Sequence, residues 1–143
     1  MTIQKETFDL GVPWEDAAGY AQAVLVDDTV YISGQLGHRP DGTLVSPAPE
    51  GGRGVDQSVM RDQMVQTYAN ARAVLAHFGC TFDNVVEEVV FATDIGAALA
   101  VMRGVRDDVY TGVSKPKVAN TTVGVTALAL PGQAVEIKLI ARR

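Results

Sequence analysis

Side chains that commonly carry out chemistry are few in this sequence, and they lack the familiar spacings. No Walker loop, HExxH helix or GxSxG nucleophile motif is present. His38 and His77 lie far apart without a matched carboxylate pattern, which favours surface or capping histidines over a catalytic pair. The single cysteine, Cys80, has no basic neighbour that would activate its thiol, so we expect a small buried hydrophobe. Because no Cys/His ligand spacing occurs, the sequence predicts no metal site.

Composition and charge narrow the class of protein. The chain has 143 residues, of which 47% are hydrophobic, so a single domain over residues 1–143 can bury its own core without disulfides. Twelve basic and seventeen acidic side chains give a net charge of −5, and the basic residues are scattered. Phosphate backbones need clustered positive charge, so we expect no nucleic-acid partner. One cysteine, which can form no intramolecular disulfide, is typical of a reducing cytoplasm.

The sequence also predicts no membrane partner. The first ten residues lack the basic start, apolar centre and cleavage site of an export signal, so we expect them to remain in a cytoplasmic protein. The longest uncharged stretch, residues 118–135, contains three threonines together with Asn120, Gly124 and Pro131. These polar and helix-breaking residues exclude a membrane-spanning helix there.

Hydrophobic periodicity predicts six strands and two helices. Apolar residues at helical spacing indicate helices over residues 60–78, ended by Gly79, and over residues 95–109. Alternating or valine-rich segments predict strands over residues 6–10, 21–26, 29–36, 85–93, 118–126 and 134–141. The second and third strands should form a hairpin around Asp27–Asp28, and the last two a closing hairpin around Pro131–Gly132.

This element order is typical of an α+β fold with one mixed β-sheet and two helices on one face. A Gly/Pro-rich loop over residues 37–54 follows the first hairpin, and the second helix should end before Gly112 and Lys115–Pro116. Two helices cover one face only, so the other face is solvated or buried against another subunit. Strand alternation predicts polar residues on that face, namely Asn120, Thr122, Glu136 and Lys138.

Four segments carry a resemblance to a known family. They are residues 19–23 (GYAQA), 30–35 (VYISGQ), 83–86 (DNVV) with Thr93–Asp94 behind them, and 130–132 (LPG) followed by 135–137 (VEI). In this order and spacing the chain resembles the Rid/YjgF family of reactive-intermediate (enamine/imine) deaminases, also described as L-PSP endoribonuclease-like. The resemblance implies a chorismate-mutase-like (YjgF/L-PSP-like) fold. It also implies a homotrimer with three small-molecule clefts between neighbouring subunits.

The resemblance further implies an activity and a site. Family members hydrolyse reactive enamines or imines, such as 2-aminoacrylate, to a keto acid and ammonia without a metal or cofactor. A glutamate orients or activates water, an arginine forks onto the substrate carboxylate, and the SGQ strand and a tyrosine line the cleft. The matching residues here are Glu136 at the catalytic position and Tyr20, Ser33 and Gly34 at the substrate-binding positions.

This chain departs from the family pattern at the arginine. Asn120 stands where the arginine belongs, and Thr122 stands at the position of a frequent cysteine. Met102 replaces an asparagine of the second helix. A neutral amide cannot form the forked, charge-assisted contact of a guanidinium. We therefore expect Asn120 and Thr122 to bind a less acidic substrate, and we expect ordinary 2-aminoacrylate hydrolysis to be weak.

No other cation is predicted to replace the missing arginine. Lys117, three residues before Asn120, should point to the opposite face of a regular strand, and Arg103 and Arg106 belong to the second helix. Two functions stay open: hydrolysis of a small reactive metabolite, and binding of a metabolite without turnover. An endoribonuclease activity, assigned to some relatives, is disfavoured by the acidic balance of the chain.

Overall fold

The computed structural model describes residues 1–49, 54–110 and 117–143. Its strands are β1 (Glu6–Phe8), β2 (Ala23–Val26), β3 (Thr29–Gln35), β4 (Val85–Ala92), β5 (Ala119–Gly124) and β6 (Val135–Arg142). Its helices are α1 (Trp14–Ala18), α2 (Gln57–His77) and α3 (Ile95–Val109). Residues 50–53 of the predicted loop, and the predicted stop signals Gly112 and Lys115–Pro116, lie outside the described residues.

All six strands join one mixed sheet in the order β1–β2–β3–β6–β4–β5. Every pairing is antiparallel except that of β4 with β5, which is parallel. With α2 and α3 packed on one face, this is the α+β architecture that the sequence predicts. The hairpin of β2 and β3 is confirmed, and Asp27 in its turn has a positive φ of 53°. That residues 1–143 form a single domain stays a prediction.

The predicted closing hairpin is wrong. β5 and β6 are not neighbours, because β4 lies between them and pairs with both. β4, α3 and β5 form a β-α-β unit with parallel strands, which leaves β5 at the edge of the sheet. The turn at Pro131–Gly132 does exist, and the Gln133 amide donates to the Leu130 carbonyl at 3.0 Å. It belongs to the long connection over residues 125–134, which carries the chain to the other side of β4.

Capping residues set the ends of the long helices. α2 begins after Asp56, whose carboxylate accepts the Ser58 amide at 2.7 Å. It ends before Gly79, as the sequence predicts, and the φ of 71° at this residue is one that glycine adopts without strain. α3 begins after Asp94, whose carboxylate accepts the Ala97 amide at 3.0 Å. Fully buried residues of the core between helices and sheet include Met60, Met64, Leu75, Ala98, Val105 and Ile137.

The polar residues of β5 and β6 lie on opposite faces of the sheet. Glu88 and Val90 of β4 are buried beneath the helices, and the register pairs them with Asn120 and Thr122. Glu136 instead lies between two fully buried neighbours on β6 and points to the open face. The prediction that Asn120 and Thr122 share a face with Glu136 is therefore wrong. Alternation determines which residues of one strand share a face of the sheet. Whether residues of β5 and β6 share a face depends on how each strand pairs with β4.

The open face carries apolar as well as polar side chains. Its half-buried or exposed apolar residues come from four strands and are Val24, Tyr31, Val89, Phe91 and Ile140. Tyr31 is 48% exposed. Contiguous apolar surface on a folded chain commonly marks an interaction site. Of the two alternatives that the sequence leaves for this face, its composition favours burial against another subunit.

Candidate functional site

Glu136 of β6 packs its carboxyl group against the backbone of Gly34 in β3. The pairing of these strands is irregular at this point, since the register shifts between Ile32 and Gln35. A Cβ placed on Gly34 would lie 2.5 Å from Glu136 Cδ and 2.6 Å from Oε2, which is closer than a real side chain approaches. Glycine at position 34 therefore provides the space that the Glu136 carboxylate occupies.

The surroundings of Glu136 alter its acidity. Burial raises the pKa of the Glu136 carboxyl above its usual value near 4.5, and the Gln133 side chain, 3.5 Å from Oε1, offsets part of that rise. Gln133 is itself buried, and its Nε2 donates to the Val135 carbonyl at 3.2 Å. A half-buried carboxyl with a raised pKa is suited to accept and return a proton as a general base and acid.

Tyr20 and Ser33 line a cleft of about 520 Å³ on the same face of the sheet. Tyr20 directly follows Gly19, whose φ of 72° ends α1, and is 40% exposed. Burial, and then nearby carboxylates that include Glu136, raise the pKa of the Tyr20 phenol. The Ser33 hydroxyl donates to the Ala21 carbonyl at 2.7 Å, which leaves its oxygen lone pairs to accept hydrogen bonds.

The helix that positions Tyr20 is absent from the sequence prediction. Within α1, the buried Glu15 carboxylate accepts the Leu10 amide at 2.8 Å and the Gly11 amide at 2.9 Å, which ties the helix to the preceding segment. Pro13 before the first turn and Gly19 after the last are the signals that could have revealed this helix. Its five residues are too few for a helical period to show.

A second group of polar side chains lies on the helix side of the sheet, between α3 and β5. Its centre is Glu88, a carboxylate that is 1% exposed. Glu88 Oε1 accepts hydrogen bonds from Asn120 Nδ2 at 2.9 Å and from Arg106 Nη2, and Oε2 accepts from the Tyr68 hydroxyl at 2.8 Å. Thr122 Oγ1 donates to Asn120 Oδ1 at 2.9 Å. These five residues form one hydrogen-bonded group, which we call the Glu88 network.

The sequence analysis predicts that no other cation replaces the missing arginine, but the structure does place cations near Asn120. α3 packs beside β4 and β5, which brings Arg106 to the same Glu88 oxygen that Asn120 contacts. Lys117 precedes β5, so strand alternation does not govern it, and it lines the same groove as Asn120. Arg103 of α3 lines that groove as well. Among the described residues, three cations therefore line the groove that also contains the position of the missing arginine.

The structure divides the predicted site residues between the two faces of the sheet. The open face holds Tyr20, Ser33, Gly34 and Glu136, and the helix side holds Asn120 and Thr122. One chain therefore does not bring them into one site. The sequence prediction also misses Glu88 and Arg106. The signal for them is the pair Glu87–Glu88 within a strand: neighbouring side chains point to opposite faces, so one carboxylate must face the core and needs a cation.

Packing contacts account for the remaining reactive side chains, which are those of His38, His77 and Cys80. His38 is buried and not at the surface: its ring packs edge-on against Trp14, with ring centroids 5.3 Å apart, and its Nδ1 lies 2.9 Å from the Arg39 carbonyl. His77 stacks on Phe8 with ring centroids 4.0 Å apart. Cys80 is buried, as predicted.

In the described part of the chain, no cluster of three or more His, Cys, Asp or Glu side chains could hold a metal. No helix among the described residues combines the length and apolarity needed to cross a membrane.

Comparison with known proteins gives a consistent result. A family model described as Endoribonuclease L-PSP matches residues 13–143. The RutC family protein YjgH of Escherichia coli K12 is 34% identical over 123 residues, which cover 86% of this chain and 82% of that protein. A 2-iminobutanoate/2-iminopropanoate deaminase of Capra hircus is 37% identical over 123 residues, which cover 85% of this chain and 78% of that protein. The crystal structure of the Rid family protein YyfA from Yersinia pestis has a TM-score of 0.78 at 29% identity, covering 98% of this chain and all of that one.

The chain belongs to the Rid/YjgF family, whose family model carries the L-PSP endoribonuclease description. The predicted YjgF/L-PSP-like fold is confirmed by the Yersinia pestis structure. Membership supports a Rid-type function for this chain.

Proposed function

We propose that this protein hydrolyses a small reactive imine or enamine to a carbonyl compound and ammonia, with Glu136 as the general base and acid. The observation that carries the proposal is the half-buried Glu136 carboxyl, held over Gly34 and with its pKa raised by burial. The relative from Capra hircus is described as a 2-iminobutanoate/2-iminopropanoate deaminase, which supports this class of reaction. Because Cys80 is a free thiol, we place the reaction in the cytoplasm.

The proposed reaction needs only water and proton transfers. The Glu136 carboxylate takes a proton from the attacking water while the water oxygen bonds to the C=N carbon, and the nitrogen gains a proton from a second, solvent water. The carbinolamine then collapses: its O–H proton returns to solvent, the C=O bond forms, and the C–N bond breaks as protonated Glu136 gives its proton to nitrogen. Water supplies the carbonyl oxygen, and ammonia is the leaving group, so the proposed reaction uses no metal and no cofactor. An enamine substrate first tautomerises to the imine.

The complete site, in this proposal, lies between two subunits of a homotrimer. Glu136 and Asn120 lie on opposite faces of one sheet, so the open face of one chain must meet the α3–β5 edge of a neighbour to join them. Apolar side chains on the open face, such as Phe91 and Ile140, support burial there. Light scattering should give about 46 kDa, three times the chain mass of 15.2 kDa. A stable monomer would contradict this arrangement.

The catalytic role of Glu136 is tested by substitution. Ammonia and keto acid release from an imine generated in solution would be compared for the natural protein, Glu136→Gln and Asp83→Asn. Asp83 is an exposed carboxylate before β4 and outside the sheet, so Asp83→Asn is the control. We expect kcat to fall about 100-fold or more in Glu136→Gln and to stay unchanged in Asp83→Asn. Equal rates for both variants would exclude Glu136 as the general base.

The subunit arrangement is tested by mixing two inactive variants. Glu136→Gln chains would be unfolded and refolded together with Asn120→Ala/Thr122→Ala chains in equal amounts. If each cleft takes Glu136 from one chain and Asn120 from its neighbour, random assembly makes about one cleft in four fully natural. We therefore expect about a quarter of the natural activity. No recovery above the two separate variants would show that one chain supplies both parts.

The alternative is a protein that binds a metabolite in the same cleft without turnover. In that case the natural protein releases no ammonia above the spontaneous rate, and Glu136→Gln changes only affinity. An endoribonuclease is not proposed, because the net charge of −5 opposes association with a polyanion.

A further inference from the structure

A β-bulge in β3 lies beside Glu136. At this point the register advances by three residues on β3 but by two on β6, so Ser33 and Gly34 together lie opposite Lys138. A bulge of this kind redirects the chain locally, and here it brings Gly34 against the Glu136 carboxyl group. The extra residue of a bulge has no partner in the ladder of strand hydrogen bonds, so other bonds must fix its position.

Two buried glutamines provide such bonds. Gln35 is 1% exposed and Gln22 is 2% exposed, and Gln35 Nε2 donates to Gln22 Oε1 at 2.8 Å. Gln35 Nε2 also donates to the Ser33 carbonyl at 2.9 Å. Because this second bond joins residues 33 and 35, it spans Gly34 and restricts its backbone. We call Gln22 and Gln35 the glutamine pair.

The glutamine pair also connects the two parts of the cleft. Gln22 follows Tyr20 by two positions, and two further bonds tie its segment to β3. The Ser33 amide donates to the Gln22 carbonyl at 2.8 Å, and the Ser33 hydroxyl donates to the Ala21 carbonyl at 2.7 Å. Together with the bond between the two glutamines, these bonds hold the chain behind Tyr20 against the bulge that contacts Glu136.

Stability alone does not account for a glutamine at position 35. Gln35 Oε1 is buried and accepts from no donor among the described residues. The amide cannot turn over to pair this oxygen, because Oε1 would then face the Ser33 carbonyl, which is itself an acceptor. A buried polar atom without a partner is unfavourable, and an apolar side chain of the same length contains no such atom. The bond to Ser33 therefore determines how the amide is oriented, although it leaves Oε1 unpaired.

We propose that Gln35, anchored by Gln22, is a positioning residue that holds the bulge at Gly34 and thereby the Glu136 carboxyl group. Gln35 acts through the backbone, because it pairs with buried Ile137 on the helix side of the sheet, whereas Glu136 lies on the open face. A displacement of about 1 Å in a reacting group can cost about 100-fold in rate, so a looser bulge slows a reaction that depends on Glu136. This inference rests on the proposed function for its effect on rate, but not for its effect on the position of Glu136.

The test replaces both glutamines in the full-length protein. Gln22→Met/Gln35→Met keeps the side-chain length and removes both partners of the buried bond together with the unpaired Oε1, so Tm should stay within about 4 °C of the natural value. The same variant should lose about tenfold or more in kcat for an imine generated in solution. Gln22→Met alone retains the bond from Gln35 to Ser33 and should show a smaller loss. Natural kcat in both folded variants would refute the positioning role.

Thr67→Val is the matched control for the loss of a buried hydrogen bond. The Thr67 hydroxyl donates to the Gln63 carbonyl at 2.7 Å within α2, away from the bulge. Valine has nearly the same shape as threonine but cannot donate. Thr67→Val should therefore keep kcat within about twofold of the natural value, since additive effects are expected for sites without shared partners. A tenfold loss in this control would show that any buried polar bond has the same effect, which would overturn a specific role for Gln35.

Titration of Glu136 distinguishes positioning from a merely structural role. Burial raises the pKa of Glu136 above its usual value near 4.5, and a bulge that moves away from the carboxyl group should admit water and shift the pKa toward 4.5. The measurement is ¹³C NMR of the side-chain carboxyl, assigned by the signal that is lost in Glu136→Gln. Partial unfolding would weaken the signal of the folded protein without moving its midpoint. A natural midpoint in Gln22→Met/Gln35→Met would contradict the proposal.

Combination with Gly34→Ala tests the route of the effect. If the glutamine pair acts only through the contact of Gly34 with Glu136, both substitutions disturb the same distance, and their effects on kcat should not multiply. The triple variant Gln22→Met/Gly34→Ala/Gln35→Met should therefore stay within about threefold of Gly34→Ala. A further fall of about tenfold or more would exclude a route through Gly34.

The two proposals can fail separately. If the natural protein hydrolyses no imine but the Glu136 midpoint shifts in Gln22→Met/Gln35→Met, the positioning role is supported and the proposed reaction is refuted. If hydrolysis depends on Glu136 but neither kcat nor the midpoint changes in that variant, the reaction is supported and the positioning role is refuted.

Discussion

The contact between Gly34 and Glu136 allows a substitution that should impair catalysis without unfolding the protein. In Gly34→Ala the new methyl carbon would lie 2.5 Å from Glu136 Cδ and 2.8 Å from Cγ. Carbon atoms in contact normally lie about 3.5–4.0 Å apart, so the carboxyl group must move by about 1 Å. A displacement of that size in a reacting group costs about 100-fold in rate, and we expect that loss in kcat.

The same substitution should leave stability almost unchanged. Gly34 does not have a positive φ, so alanine meets no backbone strain there. The clash falls on the end of a flexible side chain, and replacing glycine lowers the entropy of the unfolded chain by an equivalent of about 0.4–1 kcal/mol. These effects oppose each other, and we expect Tm to change by less than about 4 °C.

The assay is the initial rate of ammonia release from an imine generated in solution, read beside a thermal unfolding curve. Gly124→Ala is the matched control, because its new Cβ would lie 3.8 Å from Ile95 Cβ, an ordinary contact. Gly124→Ala should retain natural activity. Full activity in Gly34→Ala would refute the reasoning, since it would mean that the position of the Glu136 carboxylate does not matter. A large fall in Tm would show that the side chain cannot move aside.

Three further predictions follow from the site. Because burial raises the pKa of Glu136, hydrolysis that needs its carboxylate should fall as the pH drops through a midpoint above 4.5. The residual activity of Glu136→Gln should show no such midpoint in its pH profile. Asn120→Arg should raise kcat/KM for 2-iminopropanoate about tenfold in a coupled pyruvate assay, and an unchanged value would show that this position does not contact the carboxylate. Glu88→Ala should lower the free energy of unfolding in urea by about 3–5 kcal/mol, because it leaves Arg106 unpaired, whereas Asp83→Ala, at an exposed position outside the sheet, should change it by less than about 0.5 kcal/mol.

The elements with a strong period or clear boundary residues are the ones that the sequence predicts well. α2 ends just before the predicted stop residue Gly79, and the β2–β3 hairpin turns at Asp27–Asp28. The prediction of the closing hairpin is wrong for a reason that no local sequence pattern reveals. Two strands that follow each other in sequence are separated in the sheet by β4, and this arrangement comes from packing α3 against the sheet.

The candidate site likewise has one part that the sequence predicts and one part that it does not. The contact of Glu136 with Gly34 joins positions that the sequence analysis already selects, although the bulge that creates it cannot be read from β3 alone. The Glu88 network is different, because glutamate is a residue type that usually lies at the protein surface. Its burial depends on a cation that arrives from α3, eighteen positions later in the chain. Composition cannot show such a pairing; it follows from the parallel β4–α3–β5 crossover.

Asn120 and Arg106 contact the same oxygen of Glu88, and this geometry determines what the missing arginine means. Glu88 carries one negative charge, which Arg106 already neutralises. An arginine at position 120 would compete for that carboxylate, and one of the two guanidiniums would be left with free charge for a substrate. The neutral amide of Asn120 avoids this competition and holds Glu88 in place for Arg106. Positive charge near position 120 therefore comes from Arg103 and Arg106 of α3 and from Lys117.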